Sequence, residues 1–211
     1  MPFFETRATA IIAIVTVIVS GFLLVAGMLP YWAVNAGFIP LRMGDAGVPV
    51  DHMFAVPAWA TPLTATLVHG GLAHLGFNLV MLVFCGQAVE RAIGSGPSAL
   101  LYLVGAYAGA AVHWLFDPHS ALPMIGASGA ISAMVGAYAL LYGERRAKAL
   151  GPVPAHLVHV LWLAVAWIGI QFLIAVAGMG GVSVAIGAHI GGFLAGLALA
   201  RPLLLWNHRH A

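Results

Sequence analysis

Apolar residues in this chain run in long unbroken stretches. They show neither the strict alternation of a half-buried strand nor the three-and-four spacing of a soluble amphipathic helix. Polar residues collect at the ends of these stretches or enter them singly. A helix crossing a hydrocarbon core needs about 20 apolar residues. Stretches of this kind cover residues 8–29, 68–90, 97–116, 127–142, 156–177 and 185–205. The pattern predicts an all-α polytopic membrane bundle of six transmembrane helices, forming one domain over residues 1–211, with residues 30–67 as a long loop. The first stretch exceeds the roughly 7–15 residues of a signal-peptide core, and is expected to stay as a helix. The fourth is short and at 1.5 Å per residue reaches only about 22 Å. One of its ends must therefore stop inside the protein. The end followed by charges has to reach water, so the recessed end is the one bearing Ser128.

Composition supports the membrane reading. The chain is 62% hydrophobic and 7% charged, where a soluble domain carries about 25% charged residues. No basic cluster interleaved with aromatics is present, which argues against nucleic-acid binding. The single cysteine, Cys85, lies in an apolar run and is expected to be a small buried hydrophobe. It excludes an internal disulfide and a cysteine-built zinc site. Lysine and arginine placement sets the direction. With six crossings, one side collects Arg7, Arg91, Arg145, Arg146, Lys148, Arg201 and Arg209, and the other has only Arg42. Both termini are thus expected in the cytoplasm, with loops 30–67, 117–126 and 178–184 outside. In loop 30–67, Trp32, Phe38, Phe54 and Trp59 suit the membrane interface.

Polar residues inside a membrane are costly and point to function. One set is LVHGGLAHLGFNLV, with His69, His74 and Asn78; the last two are four apart and share a helix face. The second is Ser128 in GASG. The third is His189 in VAIGAHIGGFLAGLALA. All three fall at a similar depth on the outer side. Gly192 and Gly196 form a GxxxG, and the fourth helix offers Gly129, Ser132, Ala133, Gly136 and Ala137. Such faces let helix backbones approach closely, which would bring His189 to Ser128. A serine hydroxyl becomes a nucleophile when a positioned base takes its proton, and histidine is the usual base. His74 and Asn78 suit hydrogen bonding to a developing oxyanion, beside the Ser128 N–H at a helix start. The chemistry that fits is acyl transfer to serine followed by hydrolysis. Taken singly, each signal has a plainer reading: a packing serine, a common GxxxG, a satisfied or interfacial histidine. His113, His119, His156, His159, His208 and His210 are read in that last way.

Four pieces in order carry a family resemblance: HGGLAHLGFN with its HxxxxHxxxN spacing, GQAVERAIGSG, GASG and AHIGGFLAG. Over roughly residues 59–200 the chain resembles a rhomboid intramembrane serine protease of the six-helix bacterial form. The resemblance implies Ser128 as nucleophile and His189 as general base, with no third acid and no cofactor. It implies His74 and Asn78 in the oxyanion hole, His69 as a structural histidine, and Glu90 bonding polar groups near the cytoplasmic end. It implies single-pass transmembrane proteins as substrates, cut near the outer face of the bilayer. Phe77, with Trp167 or Phe172, is the candidate lateral gate, and the glycine-rich AGMGGVSVAIGAH a candidate cap. Two positions depart from the family pattern. Ser132 stands where many members have an aromatic that stacks on the base, and Ala60 follows Trp59 where many have arginine. Two rivals differ in class. One is an inactive rhomboid-like protein that binds transmembrane helices without cutting. The other is a haem or metal protein using His69, His74, His113 or His189. No HExxH or GxGD motif supports a zinc or aspartyl protease, and no repeat pair or midplane charge supports a transporter.

Overall fold

The computed structural model describes residues 6–44, 50, 54–143, 147–176 and 185–208. Its long helices are α1 (Arg7–Val25), α2 (Leu72–Ile93), α3 (Ser95–Phe116), α4 (Ser128–Tyr142), α5 (Ala155–Val176) and α6 (Ile186–His208). No strand occurs among the described residues, only two isolated bridges. Four helices, α1, α2, α3 and α6, have the length and apolar character to cross a membrane, and Ser128–Tyr142 and Ala155–Ile170 are shorter apolar stretches.

The burial pattern is that of a membrane protein. On α1 the inward positions are Thr9, Ala10, Ala13, Thr16, Ser20 and Leu23, while Ile11, Val17, Ile18 and Phe22 are exposed. Small and polar residues turn inward and branched apolar ones outward. In water that arrangement would leave a large apolar surface unburied; in lipid the outward side chains are solvated by hydrocarbon.

Helix α4 is the centre of the bundle. Gly129, Ala130, Ile131, Ser132, Ala133, Met134, Gly136 and Ala137 are all buried. Its contact with α6 is backbone on backbone. A Cβ on Gly192 would overlap the Gly129 carbonyl oxygen, one on Gly196 the Ala133 oxygen, and one on Gly136 the Phe193 oxygen. Across α3, a Cβ on Gly109 would stand 2.9 Å from the Ala188 oxygen. The small-residue faces therefore do what their spacing predicts, holding α3, α4 and α6 together without bulky side chains between them.

The observed boundaries differ from the sequence spans most at the end of α1 and the start of α2. Helix α1 stops at Val25, and a second, short helix runs from Leu29 to Ala36. Helix α2 begins at Leu72, not near 68, so His69 lies before the helix. It also carries a π turn at Leu82–Gly86, where Gly86 lets α1 approach: a Cβ there would sit 3.1 Å from Thr9 Oγ1. Residues 30–67 hold further short turns at Pro40–Met43 and Ala58–Leu67. Phe38 is not interfacial. It is 2% exposed and packs with Ala65, Ala110 and Met124.

Glu90 serves as a cap borrowed from another helix. The first N–H groups of any helix have no partner within it. Here the Glu90 carboxylate accepts from Ala8 N (2.8 Å), Thr9 N (2.8 Å) and Thr9 Oγ1 (2.7 Å) at the start of α1. It also accepts from Ser95 Oγ at 2.5 Å, at the start of α3. One carboxylate thus joins three helices where they begin or end. Glu90→Ala leaves these donors without the acceptor, and is expected to destabilise the bundle by about 2–3 kcal/mol. Thermal unfolding in detergent reads this, and an unchanged transition would show the cap to be dispensable.

Candidate active site

The start of α4 is fixed before its chemistry is considered. Phe38 and Met124 exchange backbone hydrogen bonds (3.0 and 2.7 Å), tying residues 30–44 to the strip that leads into α4. Gly126 N donates to the Ala65 oxygen at 2.9 Å. Ala127 N donates to His69 Nε2 at 3.3 Å. The residues just before Ser128 are thus held from outside α4. Gly126 has φ of +110°, a conformation other residues rarely adopt. A Cβ there would also lie 2.6 Å from His74 Cε1. Only glycine lets the backbone turn into α4 with the His74 ring against it.

His69 is held in one tautomer by its neighbours. Ser20 Oγ donates to the Leu67 oxygen at 2.7 Å, so its contact with His69 Nδ1 at 2.9 Å is one in which the ring donates. Nε2 is then the acceptor that Ala127 N requires. This makes His69 a buried strut between α1 and the turn that presents Ser128. Its ring lies 5.0 Å from that of His74.

Asn78 Nδ2 donates to the His74 backbone carbonyl at 2.9 Å. Gly70 N donates to His74 Nδ1 at 3.3 Å, which leaves the proton of a neutral ring on Nε2. Asn78 is buried.

Ser128 opens α4 and His189 lies in the first turn of α6. His189 Nε2 is 2.8 Å from Ser128 Oγ. The two residues are 61 positions apart in the chain, and the glycine contacts between α4 and α6 make the approach. Ser132, one turn into α4, donates its hydroxyl to the Ser128 carbonyl at 2.8 Å.

Residues 57–206 match the family model described as the Rhomboid domain. The chain belongs to the rhomboid family. It is 34% identical over 156 residues to a protein named Rhomboid protease GluP of Bacillus subtilis (strain 168). That alignment covers 74% of this chain and 29% of the relative, so the chain spans less than a third of the relative's length. Family membership and the apolar helices make this rhomboid an integral membrane protein.

Other positions singled out by sequence fall as follows. Phe77 is 70% exposed beside Asn78. Trp167 packs on α6, stacking with Phe193. The Phe172 side chain, the segment 177–184 and the residues Arg145, Arg146, Arg209 and His210 lie outside the described residues. His159 is buried, not interfacial, and its Nε2 has no hydrogen-bond partner among the described residues. Cys85 is buried, as its apolar surroundings predict. Among the described residues no group of three or more His, Cys, Asp or Glu could hold a metal ion.

Sequence reasoning missed three contributors. Ser20 was legible as a hydroxyl in an apolar helix. The backbone tethers from Phe38 and Ala65 have no side-chain signal at all. Arg42 was counted only for its charge, yet Nη2 donates to the Val56 oxygen at 2.6 Å and Nη1 to the Val34 oxygen at 3.4 Å. An arginine thus ties Val34 to Val56, although Ala60 occupies the position where many family members carry one. Partial burial pulls the Arg42 guanidinium below its ordinary pKa.

Proposed function

We propose that this rhomboid is a serine endopeptidase that cleaves transmembrane segments of single-pass membrane proteins. The observation that carries the reading is the 2.8 Å approach of His189 Nε2 to Ser128 Oγ at the recessed start of α4. His189 takes the hydroxyl proton as Oγ attacks the scissile carbonyl carbon. The protonated imidazole then gives that proton to the leaving amine as the C–N bond breaks, which leaves an acyl-enzyme. Water, deprotonated by the same imidazole, releases the acid and restores the serine. No cofactor takes part.

The tetrahedral intermediate needs donors already aimed at its oxygen, since donors that must reorganise stabilise it less. Three groups suit this role: the Ser128 N–H at the helix start, Nε2–H of His74, and the second N–H of Asn78. The tautomer argument supports His74, because its Nδ1 is occupied by Gly70 N. Asn78→Ala is expected to lower kcat by about 10- to 1000-fold with the fold retained. An unchanged kcat would reduce Asn78 to a packing residue.

The six long helices are read as six crossings, with both termini cytoplasmic on the lysine and arginine bias. Ser128 and His189 then open toward the outer side. A peptide bond inside a regular helix has its carbonyl bonded and its carbon shielded, so substrates whose helix is weakened by Gly or Pro near the outer surface are the ones expected to be cut. The test is a single-pass reporter reconstituted with the protein in liposomes. Cleavage within the membrane segment near the outer face supports the reading, and cleavage confined to a soluble loop would contradict it.

A further inference from the structure

Sequence places Trp167 among candidate gate residues, where an aromatic would swing between α2 and α5 to admit substrate. The structure binds it to α6 instead. Its indole Nε1–H donates to the His189 carbonyl at 3.3 Å. Its ring lies flat on Phe193, with centroids 4.9 Å apart and planes 8° apart. In an α-helix, the carbonyl of residue 189 and residue 193 are the two ends of one turn. A single side chain from α5 therefore grips both ends of the turn whose first residue carries the imidazole beside Ser128.

That grip falls where it has most effect. His189 lies in the first turn of its helix, and helix ends fray. The side of α6 that faces α4 carries Gly192 and Gly196. A Cβ on Gly192 would already be 3.2 Å from Ser132 Cβ, so α6 sits directly on the backbone and small side chains of α4. We propose that Trp167 is a positioning residue that fixes the His189 turn of α6 against Ser128, and is not a mobile gate. The proposal rests on the reading of Ser128 and His189 as the catalytic pair. It distinguishes two parts of the side chain: the N–H sets the height of the turn, and the stack on Phe193 sets its rotation.

The experiment compares wild type with Trp167→Phe, which keeps a ring and loses the N–H, and Trp167→Ala, which loses both. Three readouts are taken on purified full-length protein in liposomes. Cleavage of a transmembrane reporter gives kcat and KM. Labelling by a small soluble fluorophosphonate reports the reactivity of Ser128 without lateral entry of a helix. Histidine-selective nitrogen NMR reports the His189 ring whether or not the protein turns over. Misplacing a catalytic group by about 1 Å costs on the order of 100-fold. Trp167→Phe is therefore expected to lower kcat and labelling together by about 3- to 10-fold at constant KM, and Trp167→Ala by about 10- to 100-fold. The His189 ring signal is expected to move in both variants while the His74 signal stays. Faster reporter cleavage with wild-type labelling would identify a gate and overturn the proposal. So would an unmoved His189 signal in folded Trp167→Phe, a result readable even if the wild type cleaves nothing. Should Trp167→Ala fail to fold, the phenylalanine variant decides.

Discussion

Alanine at position 128 is expected to abolish cleavage and leave the bundle folded. The hydroxyl that this change removes lies 2.8 Å from His189 Nε2. Ser132, the nearest other serine on α4, directs its own hydroxyl back to the Ser128 carbonyl and so sits a turn below the reaction. Removing a serine nucleophile leaves only oxyanion stabilisation and binding, and the loss in kcat is expected to be about 10⁴-fold or more. The fold should not register the change. Ser128 is the first residue of α4, and the hydrogen bonds that place this turn come from Gly126 N, Ala127 N and the Ser128 carbonyl. Alanine leaves all of these intact. Reporter cleavage and thermal unfolding measured side by side test both halves. Retained cleavage would remove Ser128 from the mechanism, and a lowered unfolding transition would assign it a structural role.

Gly192→Ala is expected to do the reverse, damaging fold and activity together. The added Cβ would overlap the Gly129 carbonyl oxygen. Backbone cannot rotate aside as a side chain can, so α6 has to move away from α4. Overpacking a close contact costs about 1–3 kcal/mol and occasionally more; two helix backbones in direct contact put this site at the upper end. Gly192 lies three residues after His189, so the same displacement pulls the imidazole from Ser128. Gly21→Ala is the control. It lies on α1 with nothing within 4 Å of the new Cβ, and alanine is the better helix former by about 1 kcal/mol. Gly192→Ala should unfold at lower temperature and cut slowly, and Gly21→Ala should do neither. Equal behaviour of the two would mean that the α4–α6 contact does not hold the pair.

Much of this site is legible in the sequence because the bilayer makes polar residues conspicuous. Ser128, His189, His74 and Asn78 stand out as isolated polar side chains in apolar runs. Glycines at four-residue spacing announce the close approach that joins α4 to α6. Glu90 is legible as a charge near a helix end, but its partnership with α1 is not, since two of the partners there are backbone N–H groups 81 and 82 residues away. The Phe38–Met124 and Ala65–Gly126 contacts are likewise carried by the main chain, which looks the same for every residue type. They decide where the chain turns into α4, and only coordinates reveal them. The contacts of Trp167 with the His189 carbonyl and Phe193 are hidden for a related reason. An aromatic on a membrane helix can face lipid, a gate or a neighbouring helix, and its position in the run does not choose among the three.

The most direct test of the central claim is covalent. The wild-type protein in liposomes is treated with a fluorophosphonate, the modified residue is located by mass spectrometry, and cleavage of a transmembrane reporter is followed in the same sample. The account predicts a single adduct on Ser128, absent from Ser128→Ala, with loss of reporter cleavage in proportion to labelling. A protein that binds the reporter helix but forms no adduct and cuts nothing would contradict it, and would make this rhomboid a binder of transmembrane helices with an idle serine–histidine pair.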